Sequence, residues 1–432
     1  MALSAHGCSV LDEYKNAYRL AQVFPAFTTF FETVRFDNGN ENNQVDDLKE
    51  EERIDLERLT EFRTMLHRYP ELSNDEKETA ERVVQFLKET GPDAIRTGIG
   101  GHGVAALYGM ENEGPTLLFR CELDALPIRE ANTFEYRSRT EGVGHLCGHD
   151  GHMTIIAGLA LQLQNRPPQK GRVVLLYQPA EETGEGAARI LDDIQFSDIE
   201  PDYVVALHNL PGYEKRQIVV RDGVFASASR GLTIRLHGTP SHAAHPADGR
   251  NPALAASQIV QSLVAIPQMY TELHAGTLVT PIHVQVGSPA FGTSPGEGVV
   301  MATLRSHTSE DMNILVHRTV EIAEGIASAY ELETEISWSE QFEAVVNDAS
   351  CVNVVRETAG RLGLDTQEAL HPFPWSEDFG HFTSRYSGVL FGLGSGKDQP
   401  QLHNDTYDFP DDIIETGVKM FAGIMENLLP EG

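Results

Sequence analysis

The chain has 432 residues, 41% of them hydrophobic, and a formal net charge of −31. That length exceeds one ordinary core and sets two domains as the prior, and the apolar share is that of a globular protein. The charge repels nucleic acid and anionic membrane and excludes both as partners, and no apolar run approaches the roughly 18–20 residues of a membrane span.

Residues 1–50 read as an N-terminal extension, an aromatic stretch (AYRLAQVFPAFTTFFETVRF) followed by a charged one. The first thirty residues lack the continuous apolar core of a signal peptide, so a cytoplasmic protein is expected. A helix is expected over 55–68. A second starts within PELSNDEKETAERVVQFLKET, with Ser73 and Glu76 as a capping box, and Gly91-Pro92 stop it. Its apolar face is Ala80, Val83, Val84 and Leu87. The short apolar runs GVAALY, TLLFR, RVVLLY, YVVALH and, later, GVLFGLG fit strands covered on both faces by helices. A helix after CGHD, with Ile155, Ile156, Leu159 and Leu163, is one such cover. These runs predict an α/β fold with a central, mostly parallel sheet.

From about residue 226 the pattern alternates, with Leu232, Ile234 and Leu236 on one face of GLTIRLHG. The strand and helix patterns that follow run β-α-β-β-α-β, the split unit of a two-layer sandwich. Strands of the first kind then resume. The expected division is 1–50 extension, 51–225 first catalytic segment, 226–338 inserted domain and 339–432 second catalytic segment.

Metal-capable side chains collect where strands end. RVVLLYQPAEE ends in Glu181 and Glu182, side by side and, on extended backbone, aimed to opposite sides. YVVALHNLPG carries His208, GHLCGHDGH carries His145, Cys147, His149, Asp150 and His152, and QLHNDTYDFP carries His403. In open α/β sheets, sites form beyond the carboxyl ends of strands. A mixed thiolate, imidazole and carboxylate set suits zinc, manganese, cobalt or nickel better than magnesium or calcium. Each residue taken alone is more often a satisfied polar group or a solvated turn than a ligand. No HExxH, GxSxG or P-loop is present. The four cysteines, at 8, 121, 147 and 351, form no CxxC pair and no disulfide scaffold.

The stretches HRYPELS, FRCELDALPI, GHLCGHDGHM, QPAEE, ALHNLPG, SHAAHPADGRNPA, SEDFGHF, GVLFGLG and LHND occur in the order of one family. Over roughly residues 55–425 the chain resembles the metal-dependent amidohydrolases and peptidases that include aminoacylases, hippurate hydrolases and auxin-conjugate hydrolases. The resemblance implies two divalent metal ions, zinc or manganese first, bridged by Cys147. Glu182 and His403 would hold one ion, His149 and His208 the other. It further implies Glu181 as general base toward a metal-activated water, Asp124 as a carboxylate behind the ligands, and His242 as oxyanion donor. Arg305 would be the partner of a substrate carboxylate. The inserted domain would be a lid that pairs two subunits into a homodimer.

The chain departs from the family pattern at several points. Glu122 and Cys121 replace aspartate and alanine in the FRCELDALPI stretch, and Ala247, Asn251 and Gly292 alter the lid. The expected activity is hydrolysis of the linear amide bond of a small N-acyl amino acid, not endopeptidase action. A dipeptidase or carboxypeptidase using the same centre is the enzymatic alternative. A non-catalytic metal-containing binding protein is the alternative of another class.

Overall fold

The computed structural model describes residues 54–429. The N-terminal extension and Cys8 lie outside the described residues. The described chain opens with helices α1 (Leu56–Arg68) and α2 (Lys77–Lys88). Residues Ala80, Val83 and Leu87 of α2 are buried as the periodicity predicts, but the capping box does not form. The Ser73 hydroxyl donates to Asp124 at 2.6 Å. The buried Glu76 carboxylate accepts the backbone N–H groups of Asn74 and Ala180, each at 2.8 Å. Both side chains are drawn into tertiary contacts with strand ends, because a buried carboxylate takes the donors that surround it.

Strands β1 (Ala94–Ile99), β2 (Gly103–Tyr108) and β3 (Thr116–Glu122) precede helix α3 (His149–Asn165). Strand β4 (Arg172–Gln178), helix α4 (Gly186–Asp192), and strands β5 (Tyr203–Pro211) and β6 (Ile218–Val220) follow. Every residue of β2 and β3 is buried, which is the signature of a strand covered on both faces. Residues 149–160 of α3 are buried without interruption, because the helix lies against the sheet with α1 beside it. Strand β1 was not expected from the sequence. It is half exposed, antiparallel to β2 and at the sheet edge, and its AIRTGI sequence carries only a weak apolar signal.

The next segment contains β7 (Gly223–Ala226), β8 (Ala228–His237), β9 (Ser241–His242), α5 (Ala253–Tyr270) and β10 (Leu278–Val286). It continues with β11 (Thr293–Ser294), β12 (Glu297–Ser306), α6 (Ser309–Ala329) and β13 (Glu333–Phe342). Strands β10-β12-β8-β13 form an antiparallel sheet in that order. Leu232, Ile234 and Leu236 point from it into a core shared with Ile259 and Leu263 of α5 and Met312 and Leu315 of α6. This is the inserted β-α-β-β-α-β sandwich. The Thr308 side chain accepts the Asp311 N–H at 3.1 Å and caps α6.

The chain then returns through β14 (Val345–Asn347), α7 (Ala349–Arg361), β15 (Thr366–Glu368), α8 (Gly380–Thr383), β16 (Ser387–Gly396) and α9 (Ile414–Leu428). The large sheet has the order β1-β2-β4-β3-β5-β16-β6-β15. Its central strands β4, β3, β5 and β16 are all parallel, so their carboxyl ends share one edge. Cys121, Cys147 and Cys351 are buried free thiols. Among the described residues, no helix is long and apolar enough to cross a membrane.

Candidate metal centre

The parallel strands deliver their ends to one place. His208 lies within β5, paired opposite Gly392 of β16. Glu181 and Glu182 follow β4, Cys147 and His149 straddle the start of α3, and His403 stands in the loop after β16. Neither adjacent pair is extended. Ala180 has φ 52° and turns the chain immediately after β4, so the two glutamates converge instead of diverging. Oε2 of Glu181 and Oε1 of Glu182 each lie 3.9 Å from Nε2 of His149. Gly148 has φ 96°, and a Cβ there would sit 2.6 Å from Oδ1 of Asn209. Only glycine permits that turn and close approach, and the turn brings Cys147 and His149 round to one pocket.

Among the described residues five triads of ligand atoms each gather within 4.8 Å, and three of them meet here: Cys147, His149 and His208; Cys147, Glu182 and His403; His149, Glu181 and Glu182. The first two share Cys147. Sγ of Cys147 lies 3.6 Å from Nε2 of His208, and Nε2 of His403 lies 3.8 Å from Glu182. His403 is half exposed and marks the mouth; the other four side chains lie deeper.

The donor set fits a cation. Nδ1 of His149 donates to the Asp124 carbonyl at 2.8 Å, and Nδ1 of His208 to the Asn209 carbonyl at 2.9 Å. A carbonyl only accepts, so each ring directs Nε2 into the pocket, the arrangement of a metal-ligating imidazole. Nε2 of His149 and Oε1 of Glu182 are buried with no hydrogen-bond partner, at a cost of about 1–3 kcal/mol each that coordination would remove. Burial pushes the Cys147 thiol well up, with the Glu182 and Glu181 charges adding to it. Burial also pushes Glu182 up to about 7 against the pull of His149. For His149, burial opposes the charge, but Glu122, Glu182 and Asp124 outweigh it and raise the ring to about 9. Acids that hold their protons beside an imidazole that takes one mark a pocket short of positive charge.

Asp124 lies behind the ligands: Oδ2 accepts the Glu182 N–H at 2.9 Å, and Oδ1 stands 3.7 Å from Nδ1 of His149. Of the other metal-capable residues of GHLCGHDGH, His152 adjoins the pocket, its ring centroid 5.6 Å from that of His149 and 4.8 Å from that of His208, but both its nitrogens are taken. His152 is engaged on Nδ1 by Glu122 at 2.6 Å and on Nε2 by Asn209 at 2.5 Å. Asp150 accepts from Nδ1 of His67 at 2.9 Å and Nη1 of Arg63 at 3.0 Å, anchoring the first turn of α3. Both nitrogens of His145 are buried without a partner. Burial lowers that ring to about 3, so it is neutral.

His242 and Arg305 are not in the cluster. His242 is exposed on the inserted domain, where β9 pairs with β11, and its Nδ1 accepts the Ala244 N–H at 3.0 Å. Arg305, on β12, donates from Nη1 to the Pro374 carbonyl at 2.9 Å and to Oγ of Ser376 at 3.1 Å. Asn251 caps the start of α5 by accepting the Ala253 N–H at 2.9 Å and donates to Ser294 at 2.9 Å.

Sequence reasoning missed a buried charge cluster beneath Glu181. Arg120 is fully buried and donates to Glu122, to Gln178 at 2.9 Å, to Glu377 at 2.8 Å and to Asp378 at 2.5 Å. Glu181, Glu377 and Asp378 lie within 4.8 Å of one another, and the Asp378 N–H donates to Glu181 at 3.4 Å. Burial, then the Glu377 and Glu182 charges, hold the Glu181 carboxyl well above the usual range. The signal was an arginine inside an otherwise apolar strand, TLLFRCE, which demands buried partners.

Comparison with known proteins identifies this fold and its cluster of donors as those of a metal-dependent amidohydrolase. The pattern of Peptidase family M20/M25/M40 matches residues 118–427. The chain is 32% identical over 373 residues to an N-acetyl-L-cysteine deacetylase of Bacillus subtilis, covering 84% of this chain and 87% of that one. It is 29% identical over 374 residues to a hippurate hydrolase of Campylobacter jejuni, covering 85% and 96%. A crystal structure of a dinuclear metal-binding M20 peptidase from Bacillus subtilis superposes with a TM-score of 0.73 at 27% identity, covering 87% and 98%. The chain belongs to peptidase family M20/M25/M40.

Proposed function

We propose that the chain hydrolyses the amide bond of N-acyl amino acids through a centre of two divalent ions. The observation that carries this reading is the pair of triads sharing Cys147, with Glu181 beside them, 3.9 Å from Nε2 of His149. Cys147 would be shared by the two ions, Glu182 and His403 would hold one of them, and His149 and His208 the other. Zinc or manganese suits the donors best, with cobalt or nickel as substitutes. When bound, the ions polarise the amide carbonyl and acidify a water.

The protein's own groups do the rest. Glu181 takes a proton from the attacking water and hands it to the leaving nitrogen. Its raised affinity for protons suits that task, and the Asp378 N–H keeps one of its oxygens oriented. His242 donates to the developing oxyanion once the inserted domain brings it over the site. Arg305 meets the substrate carboxylate. The inserted domain, taken as residues 226–338, also joins two chains. Exposed Leu278, Ile282 and Val284 on edge strand β10 support a homodimer.

The test is a panel of N-acyl amino acids and dipeptides, assayed with the wild type and Glu181→Gln after metal loading. The expected result is turnover of the acyl amino acids, a loss of about 10²–10⁴-fold in kcat in the variant, and an unchanged metal content. Preference for dipeptides would move the assignment to a peptidase; a variant as fast as wild type would remove Glu181 as the base.

A further inference from the structure

We propose that Glu122 is a positioning residue that ties the imidazoles of the metal centre to Glu181, so that one side chain orients both the ligands and the base. The inference rests on the amidohydrolase reading above and adds to it what holds that site in shape. A carboxylate has two oxygens, and here each holds a different arm of the site. Oε2 of Glu122 accepts from Nδ1 of His152 at 2.6 Å, and Oε1 accepts from Nη1 of Arg120. Glu122 ends β3 and is fully buried. Burial by itself would raise its carboxyl, but Arg120 and then His152 outweigh burial and hold it well below the usual range. It is therefore ionised and only accepts.

The first arm runs to the ligands. The ring of His152 stands edge-on to that of His208, and the ligand atoms of Glu122, His149 and His152 gather within 4.8 Å. On its other side, Nε2 of His152 meets Oδ1 of Asn209 at 2.5 Å, and Nδ2 of Asn209 donates to the Tyr407 hydroxyl at 2.5 Å. The Asn209 carbonyl is also the acceptor for Nδ1 of His208. A ring engaged at both nitrogens cannot tilt freely, so its flank helps to fix the angle at which His208 presents Nε2. The second arm runs to the base. Arg120 carries the tie onward to Glu377 and Asp378. Gln178 braces that junction, accepting from Arg120 and donating to both oxygens of Asp378 at 2.7 Å. The Asp378 N–H then reaches Glu181. The arms meet at Glu122. Glutamine there keeps the length but turns an NH₂ toward one of two donors, so either Arg120 or Nδ1 of His152 loses its acceptor.

Wild type, Glu122→Gln and Glu122→Asp are loaded with cobalt. Ion content, the visible cobalt bands and Tm are measured beside kcat and KM on N-acetylalanine. The expected result for Glu122→Gln is the wild-type ion content, displaced cobalt bands, and a kcat lower by about 10–100-fold with KM within about twofold. Glu122→Asp, which keeps the charge but draws both oxygens back, should lie between the two proteins. A lower Tm with the bands and kcat of the folded protein unchanged would mark Glu122 as a core support and overturn the proposal. His152→Gln separates the arms. It should displace the bands by itself, and adding Glu122→Gln should move them no further while still lowering kcat through Arg120, because effects through a shared partner do not add. Additive band shifts would overturn the role of His152 as the link. If Glu122→Gln does not fold, Glu122→Asp decides, and wild-type bands and kcat in it would overturn the proposal, as would loss of the fold in both. The bands need no turnover. Displaced bands in a protein whose wild type hydrolyses no amide would sink the amidohydrolase reading and leave the positioning of the imidazoles standing. Turnover with bands and kcat indifferent to Glu122 would do the reverse, and a wild type that takes up no cobalt would remove both.

Discussion

Sγ of Cys147 lies 3.6 Å from Nε2 of His208, although sixty-one positions separate them in the chain. The contact joins the start of α3 to the middle of β5, and it places the thiol between two triads. Removing that sulfur disturbs both triads, so Cys147→Ser should bind at most one ion per chain where the wild type binds two. Elemental analysis of the dialysed proteins reads this directly. A ligand held at one hundred times its Kd adds about 2.7 kcal/mol to stability. A strong chelator should accordingly lower the wild-type Tm by several degrees and the variant's by less. Equal metal content in both proteins would refute the bridging role.

Gly148 is the turn that makes the first triad. A Cβ at its φ of 96° would be strained and would press on the Asn209 side chain, at 2.6 Å from Oδ1 and 2.9 Å from Nδ2. Gly148→Ala should cost on the order of 1–3 kcal/mol in urea unfolding. It should also displace Asn209 from His152, and metal affinity should fall. A variant as stable as wild type would show that the turn relaxes freely.

His67 makes stability depend on alkaline pH. Burial disfavours its charge, but the hydrogen bond and charge of Asp150, with help from Glu130, overcome burial and raise the ring to about 9. The unfolded ring titrates near 6.5. A raised folded value means the contribution is complete below about pH 6.5 and is lost as pH climbs through 9. That contribution is on the order of 3 kcal/mol at most. Unfolding free energy should fall between pH 6.5 and 9 in wild type, and more gently in His67→Gln. Parallel curves for the two proteins would remove His67 as the cause.

The outer face of β10 offers the simplest check on assembly. Ile282 is 60% exposed and Val284 47%, on an unpaired strand edge. Wild type should run at twice the chain mass in light scattering at micromolar concentration. Val284→Glu combined with Ile282→Lys should halve that mass, because buried unpaired charge opposes an apolar contact. A monomeric wild type would end the expectation.

Some of this was legible in the residues and some was not. The continuous apolar runs of β2, β3 and β4 and the alternation of β8 announced two kinds of sheet, because burial on one or both faces leaves a period in the sequence. The capping box at Ser73 and Glu76 failed for the opposite reason: distant groups, Asp124 and Ala180, claimed the same atoms. Edge strand β1, half exposed, left too little apolar pattern to be seen.

The sequence by itself determined the fold class, the order of the elements and the residue types able to hold a cation, since propensity, periodicity and ligand chemistry are local properties. Only the tertiary structure decided that Glu181 and Glu182 turn toward the same imidazole, that His152 and Asp150 are claimed by other protein groups, and that Arg120 and Trp375 border the site. Those outcomes depend on left-handed turns at Ala180 and Gly148 and on partners dozens to hundreds of residues away. Their energies arise only when parallel strands have brought their ends together.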